Sequence, residues 1–176
     1  MRIVTILTLL FTITSCEKCK ERNDDELCSI RVPNSSDNLL IHGFYFKQNE
    51  INSNITYEVI CLFRNGVLLD LHTLSESEWN NLDGYLIENN YLIDGNRDKL
   101  DWGIYDIADS SISIEKWYPS NDFFPVYRHV GKILSDSTFQ LTESSRCDCS
   151  ERRIENDIYQ FRHSLSRPDS TNIYTN

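Results

Sequence analysis

Apolar and aromatic residues alternate with polar ones in short runs over most of the chain, and turn-forming residues separate the runs. Leu39 to Gln48 is apolar and aromatic and predicts a strand. Thr56 to Arg64, rich in β-branched and aromatic residues, predicts a second. Asn65-Gly66 follows, then Val67 to Leu74. An Asn-Gly pair between two such runs signals a hairpin, because a type I′ turn needs positive φ at both positions. A two-residue loop pairs Arg64 with Val67, Leu62 with Leu69 and Ile60 with Leu71. That face is more continuously apolar than the one bearing Phe63, Leu68, Cys61 and Asp70, so it is the expected core side.

Ser75-Glu76-Ser77-Glu78 matches a capping box, and Trp79, Leu82 and Leu86 follow at helical spacing. They predict one helix at about 76–89, weakened by Gly84. Asp101 to Ile107 and Ser111 to Tyr118 flank Ala108-Asp109-Ser110 as a second hairpin. Pro125 to Leu134 and Ser137 to Glu143 flank Ser135-Asp136 as a third, and Asp157 to His163 alternates as a last strand. The fold class is mainly β: an antiparallel meander of about eight strands forming an up-and-down barrel or a curved sheet, with the helix over one opening or face. The pattern loosely resembles lipocalin-like barrels, from which a helix between strands three and four departs. The expected organisation is a leader at 1–15, a polar tether at 16–38, one β-rich domain at 39–163 and a polar tail at 164–176.

The leader carries the clearest chemistry. Met1-Arg2 gives a cationic start, and Ile3 to Ile13 is an apolar stretch broken only by threonines. That is the length of a signal-peptide core and too short to span a bilayer core of about 30 Å. Ile13-Thr14-Ser15-Cys16 then resembles the lipobox of bacterial lipoproteins. The resemblance implies cleavage between Ser15 and Cys16 by signal peptidase II, with diacylglycerol on the Cys16 thiol and an acylated Cys16 amino group. The expected partner is therefore a membrane, reached through the acyl chains on Cys16, and the expected location is the cell envelope. An ordinary secretory leader that ends near a cysteine is the other reading. Glu17, Glu21, Asp24, Asp25 and Glu26 resemble the export signals of lipoproteins displayed on the outer membrane of Gram-negative cells; a plain hydrophilic spacer explains them equally well. Periplasmic and surface sides both stay open.

Charge narrows the partners further. The chain has 176 residues, 17 Lys+Arg and 27 Asp+Glu, a formal charge of -10. Loss of residues 1–15 removes one arginine and leaves -11. Such a domain is repelled by phosphate backbones and by anionic headgroups, so nucleic acid is not an expected partner.

Of the six cysteines, Cys61 falls mid-strand and is expected to be buried, while Cys147 and Cys149 sit in a polar loop. A bridge between residues two apart is strained, so a link from one of them to Cys28 is the natural disulfide. Nothing beside these cysteines completes a metal site, and no cofactor motif occurs. Asp94-Gly95-Asn96-Arg97-Asp98 begins like a calcium loop but has Lys99 where glycine is needed, so it reads as a turn. His42, His72, His129 and His163 fall in strands and are expected on the sheet surface. No catalytic motif is present, so no catalytic residue is named and an enzyme is not expected; convergent carboxylates or histidines in a cleft would reverse that. Trp102, Trp117, Phe123 and Tyr127 are the aromatics that a barrel mouth would set against a ligand. Two functions follow: a small-ligand binding module, or an interaction and scaffolding lipoprotein without a pocket. Cavity-lining aromatics favour the first and solidly packed ones the second.

Overall fold

The computed structural model describes residues 25–92, 97–120 and 124–175. Eight strands follow one another around a closed antiparallel barrel: β1 (Gly43–Ile51), β2 (Asn54–Leu62), β3 (Val67–Ser75), β4 (Trp102–Ala108), β5 (Ser111–Trp117), β6 (Val126–Ser135), β7 (Thr138–Arg146) and β8 (Arg153–His163). β1 pairs with β8, Tyr45 opposite Phe161, and this closes the sheet into a barrel. Of the two architectures the alternation allows, the barrel is the one formed. β1 starts at Gly43 rather than Leu39 because residues 39–41 turn inward, where Leu39 and Ile41 are buried against one end of the barrel.

The turns correct the expected register. Asn52 and Ser53, with φ of 52° and 65°, make the type I′ turn between β1 and β2. At Asn65-Gly66 only Gly66 has positive φ (82°). Its N–H donates to Phe63 O at 3.0 Å, and Phe63 N–H donates to Val67 O at 3.0 Å, which makes a three-residue loop. Leu62 therefore pairs with Leu68, Cys61 with Leu69 and Ile60 with Asp70. One extra loop residue turns β3 over, because side chains alternate with a period of two. Leu68 and Asp70 accordingly share a face with Ile60 and Leu62, and the other face carries Val59, Cys61, Val67 and Leu69.

Both faces of this wall are buried. The inner face fills part of the lumen. The outer face forms a second core with Trp102 and Trp117, under a helical cover and two terminal segments. The cover is two short helices, α1 (Glu76–Asn80) and α2 (Leu82–Glu88), where one was expected; Asn81, at φ -109° and ψ 47°, breaks them. The Ser75–Glu78 capping box forms on both sides. Trp79 packs 5.2 Å from the ring of Tyr57 and 4.7 Å from that of Phe46.

Residues 25–38, expected as free tether, lie on the barrel. Trp117 Nε1–H donates to Asp25 O at 3.0 Å, Ser29 N–H donates to Glu115, and Asn34 N–H donates to Arg64 O at 2.8 Å. Cys28 is disulfide-bonded to Cys147, with Cα atoms 5.5 Å apart, and Cys149 is also disulfide-bonded. The C-terminal segment packs as well: Arg167 donates to Leu62 O at 2.9 Å, and Pro168 and Thr175 are buried. These segments add covering area to a small barrel. Among the described residues, no helix is long and apolar enough to cross a membrane.

Candidate functional site

An eight-stranded barrel has an interior just wide enough to be filled by side chains or to hold one small ligand. This lumen does both, at opposite ends. At the end crossed by residues 39–41, Tyr45, Leu62, Leu68, Tyr105, Ile112 and Phe139 form a dry layer, all at most 2% exposed. Phe139 stacks on Tyr159 at 5.0 Å between centroids and meets Tyr45 at the same distance.

Toward the other end the inward positions on the same strands become polar. Lys47 on β1 follows Tyr45, Glu58 on β2 precedes Ile60, Asp70 on β3 follows Leu68, Lys116 on β5 follows Ile114, and Asp157 on β8 precedes Tyr159. On β6, His129 lies opposite both Ile114 and Ser144. Register shifts in the β6–β7 and β7–β8 pairings near Thr142 mark the boundary, and a bulge in β3 puts His72 at φ 59° next to Asp70. His129 therefore points into the barrel rather than onto the sheet surface. His42, His72 and His163 are exposed.

The polar half holds two adjoining chambers. The outer one, of about 590 Å³, is bounded by Tyr127, Arg146, Glu151 and Arg153. The inner one, of about 130 Å³, reaches Glu58, Lys116 and Asp157. Tyr118, His129 and Glu155 border both.

Charges in the inner half are paired. Lys116 Nζ bonds Asp70. Lys47 Nζ lies 3.0 Å from Glu58 and 2.8 Å from Asp157. Burial works against both members of the Lys116–Asp70 pair, but their attraction prevails: the ammonium is held above its ordinary range and the carboxyl below its own. Lys47 is likewise held above its usual value, because its two carboxylates outweigh desolvation.

At the junction, His129 Nδ1 is 3.0 Å from Glu155 and Nε2 is 2.8 Å from the Tyr118 hydroxyl. A carboxylate only accepts, so the neutral ring carries its hydrogen on Nδ1 and accepts from Tyr118 through Nε2. Burial pushes the Tyr118 phenol up to about 12, so it stays protonated and donates. Burial opposes the charge on Glu155, yet bonds from His129 and Ser144 keep its carboxyl below the usual range. The chain Tyr118–His129–Glu155 thus presents hydrogen-bond donors and acceptors to whatever fills the cavity. It satisfies the condition of a histidine and carboxylate converging in a cleft, but the phenol at its end is a poor nucleophile while protonated. Among the described residues, no group of three His, Cys, Asp or Glu is placed to hold a metal ion.

The candidate residues scatter. Tyr127 lines the outer chamber and meets Tyr118 edge-on at 5.2 Å. Trp102 and Trp117, expected as lining aromatics, are instead buried in the outer core, 0% and 4% exposed, because their strand positions face away from the lumen. Phe123 lies outside the described residues, as do Ile13, Thr14, Ser15 and Cys16. Of the two cysteines weighed for the bridge to Cys28, Cys147 makes it. Cys61 is free and buried. The residues that sequence reasoning missed are Lys47, Glu58, Asp70, Lys116, His129, Glu155 and Asp157. Their signal was a charged residue two positions from an apolar one, repeated on strand after strand.

Compared with protein-family models, with curated proteins and with solved structures, the chain matches none.

Proposed function

We propose that this protein is a lipid-anchored lipoprotein of the cell envelope whose barrel is a small-ligand binding module. The observation that carries the reading is the polar half of the lumen. Burying so many charges in a barrel that apolar side chains can fill is costly unless the groups are used. Here they surround a chamber large enough for a small molecule and open at one end. The mixture of Tyr118, Tyr127, His129, Arg146 and Arg153 suits a polar ligand with an apolar portion.

The anchor rests on the lipobox at Ile13 to Cys16. Two or more acyl chains give stable attachment, which a strongly acidic domain needs because anionic headgroups repel it. Mass spectrometry of the native N-terminal peptide tests this part: an acylated Cys16 at the amino terminus is expected, and a bare thiol or a retained leader overturns it. Native mass spectrometry of protein released gently from its membrane tests the module. A co-purifying small molecule that Glu155→Gln removes is the expected result. A ligand retained unchanged in that variant would put the site elsewhere.

A further inference from the structure

The charges around the cavity are already matched. At the mouth, Glu151 lies 3.1 Å from Arg146 and 3.8 Å from Arg153. Deeper in, Lys47 holds Glu58 at 3.0 Å and Asp157 at 2.8 Å, and Lys116 bonds Asp70. His129 lies 3.0 Å from Glu155. A charged ligand entering this lining takes a partner from one of these pairs or sets its own charge beside a like one, and either is costly away from water. A neutral ligand whose groups both donate and accept bonds to the pairs without separating them.

The inner chamber narrows the chemistry further. Toward the dry layer it is walled by Ile60, Leu68 and Ile114, with Leu141 beside Asp157, each at most 4% exposed. Nearer the junction, the Glu155 and Asp157 carboxylates accept hydrogen bonds and the Lys116 ammonium donates them. Its volume of about 130 Å³ is that of about four waters. One neutral group answers all three features. An acetamido group has an N–H to donate, a C=O to accept and a methyl to bury, and its few non-hydrogen atoms match the room. The outer chamber, about 590 Å³, lies within the range of about 300–1,000 Å³ typical of small-molecule sites. Tyr127, Pro119 and Pro125 give it apolar surfaces against which the C–H faces of a sugar ring pack.

Resting on the reading of the lumen as a ligand-binding module, we infer that the cavity takes an N-acetylated amino sugar, its ring in the outer chamber and its acetamido group in the inner one. The amide N–H donates to Glu155, which borders both chambers. A carboxylate has about four acceptor sites, so Glu155 keeps its bond from His129 as it takes one more. The carbonyl accepts from Lys116, and the methyl meets Ile60, Leu68 and Ile114. Ring hydroxyls bond the Arg146, Glu151 and Arg153 cluster. A parent hexose lacks the group that the inner chamber fits, and a free amino sugar brings a cation that competes with Lys116.

Calorimetric titration of the full chain with the methyl glycosides of N-acetylglucosamine and N-acetylgalactosamine tests the inference. Saturable binding of at least one is expected, with glucose, galactose and glucosamine at least about tenfold weaker. An N-butanoyl analogue, too long for the inner chamber, should also lose at least about tenfold, and this comparison leaves the protein unchanged. Glu155→Gln and the mouth variant Tyr127→Ala should each weaken binding by a similar factor. No saturable binding of either N-acetyl sugar, equal binding of the parent hexoses, an N-butanoyl analogue bound as tightly, or affinity unchanged in either variant overturns the inference. A co-purified molecule that Glu155→Gln removes but that has no acetamido group defeats this inference alone. A chain that carries no small molecule and binds none of these sugars defeats the module reading as well.

Discussion

The two ends of the lumen are built on the same eight strands and have opposite chemistry. At one end Tyr45, Leu68, Ile112 and Phe139 interlock with no exposed area to speak of. At the other, further along the barrel strands, Lys47, Asp70, Lys116 and Glu155 surround open space. The contrast separates two jobs. The dry end lowers the free energy of the fold by removing apolar area from water. The charged end costs desolvation that its ion pairs offset only when every partner is present.

The sharpest way to break the contrast is to damage the dry end. Phe139→Ala removes a ring packed on Tyr45 and Tyr159. Urea denaturation should show a loss of about 3–5 kcal/mol, with ligand affinity close to wild type. A loss below about 1 kcal/mol would mean that this layer does not hold the barrel together.

At the charged end a single truncation behaves differently from a double one. Lys116→Met leaves Asp70 buried without its cation and should cost about 3 kcal/mol near neutral pH. The Lys116→Met, Asp70→Leu pair should recover most of it. Acid sharpens this. The wild-type Asp70 carboxyl is depressed below its ordinary 3.8, so its contribution is present above about pH 4 and is lost as pH falls through the folded value. In Lys116→Met the penalty should instead shrink on acidification, as Asp70 takes up a proton. Additive single and double variants would show that the two side chains do not interact.

Smaller effects follow outward. Tyr118→Phe removes the hydroxyl that donates to His129 and should cost about 1 kcal/mol while weakening ligand binding more than stability. His72, on the outer bulge, bonds Asp101 at 2.6 Å, and this holds its pKa above the ordinary 6.5. Its contribution is therefore complete below about pH 6.5 and is lost as pH rises through the folded value. The stability difference between wild type and His72→Gln should be larger at about pH 5.5 than at about pH 9. A difference independent of pH would remove His72 from the account.

Much of the barrel is legible in the sequence, because alternation and turn residues locate strands without tertiary information. The capping box at Ser75 and Glu78 does the same for the start of α1. The site is far less legible, and Asn65-Gly66 shows why. Read as a two-residue loop, it puts Leu69 and Leu71 with Leu62 and sends Asp70 to the surface. The extra loop residue reverses that, and Asp70 enters the lumen. Every inference about which charges converge depends on such a choice, and the sequence of one hairpin does not decide it. Trp102 and Trp117 failed as lining residues for a related reason. They face an outer core that exists only because α1, α2 and the two terminal segments cover the barrel wall, and polar composition alone marked those segments as tether and tail.

The central claim is that half of the lumen is solid and half is an open cavity. Native-state hydrogen exchange on the full-length protein tests it most directly. Amides around Tyr45, Leu68, Ile112 and Phe139 should exchange only through global unfolding. Those around Tyr127 to Val130 and Arg153 to Asp157 should exchange orders of magnitude faster, through local opening. Equal protection at both ends would mean that the charged half is as tightly closed as the apolar half, and the cavity would lose its claim to a ligand.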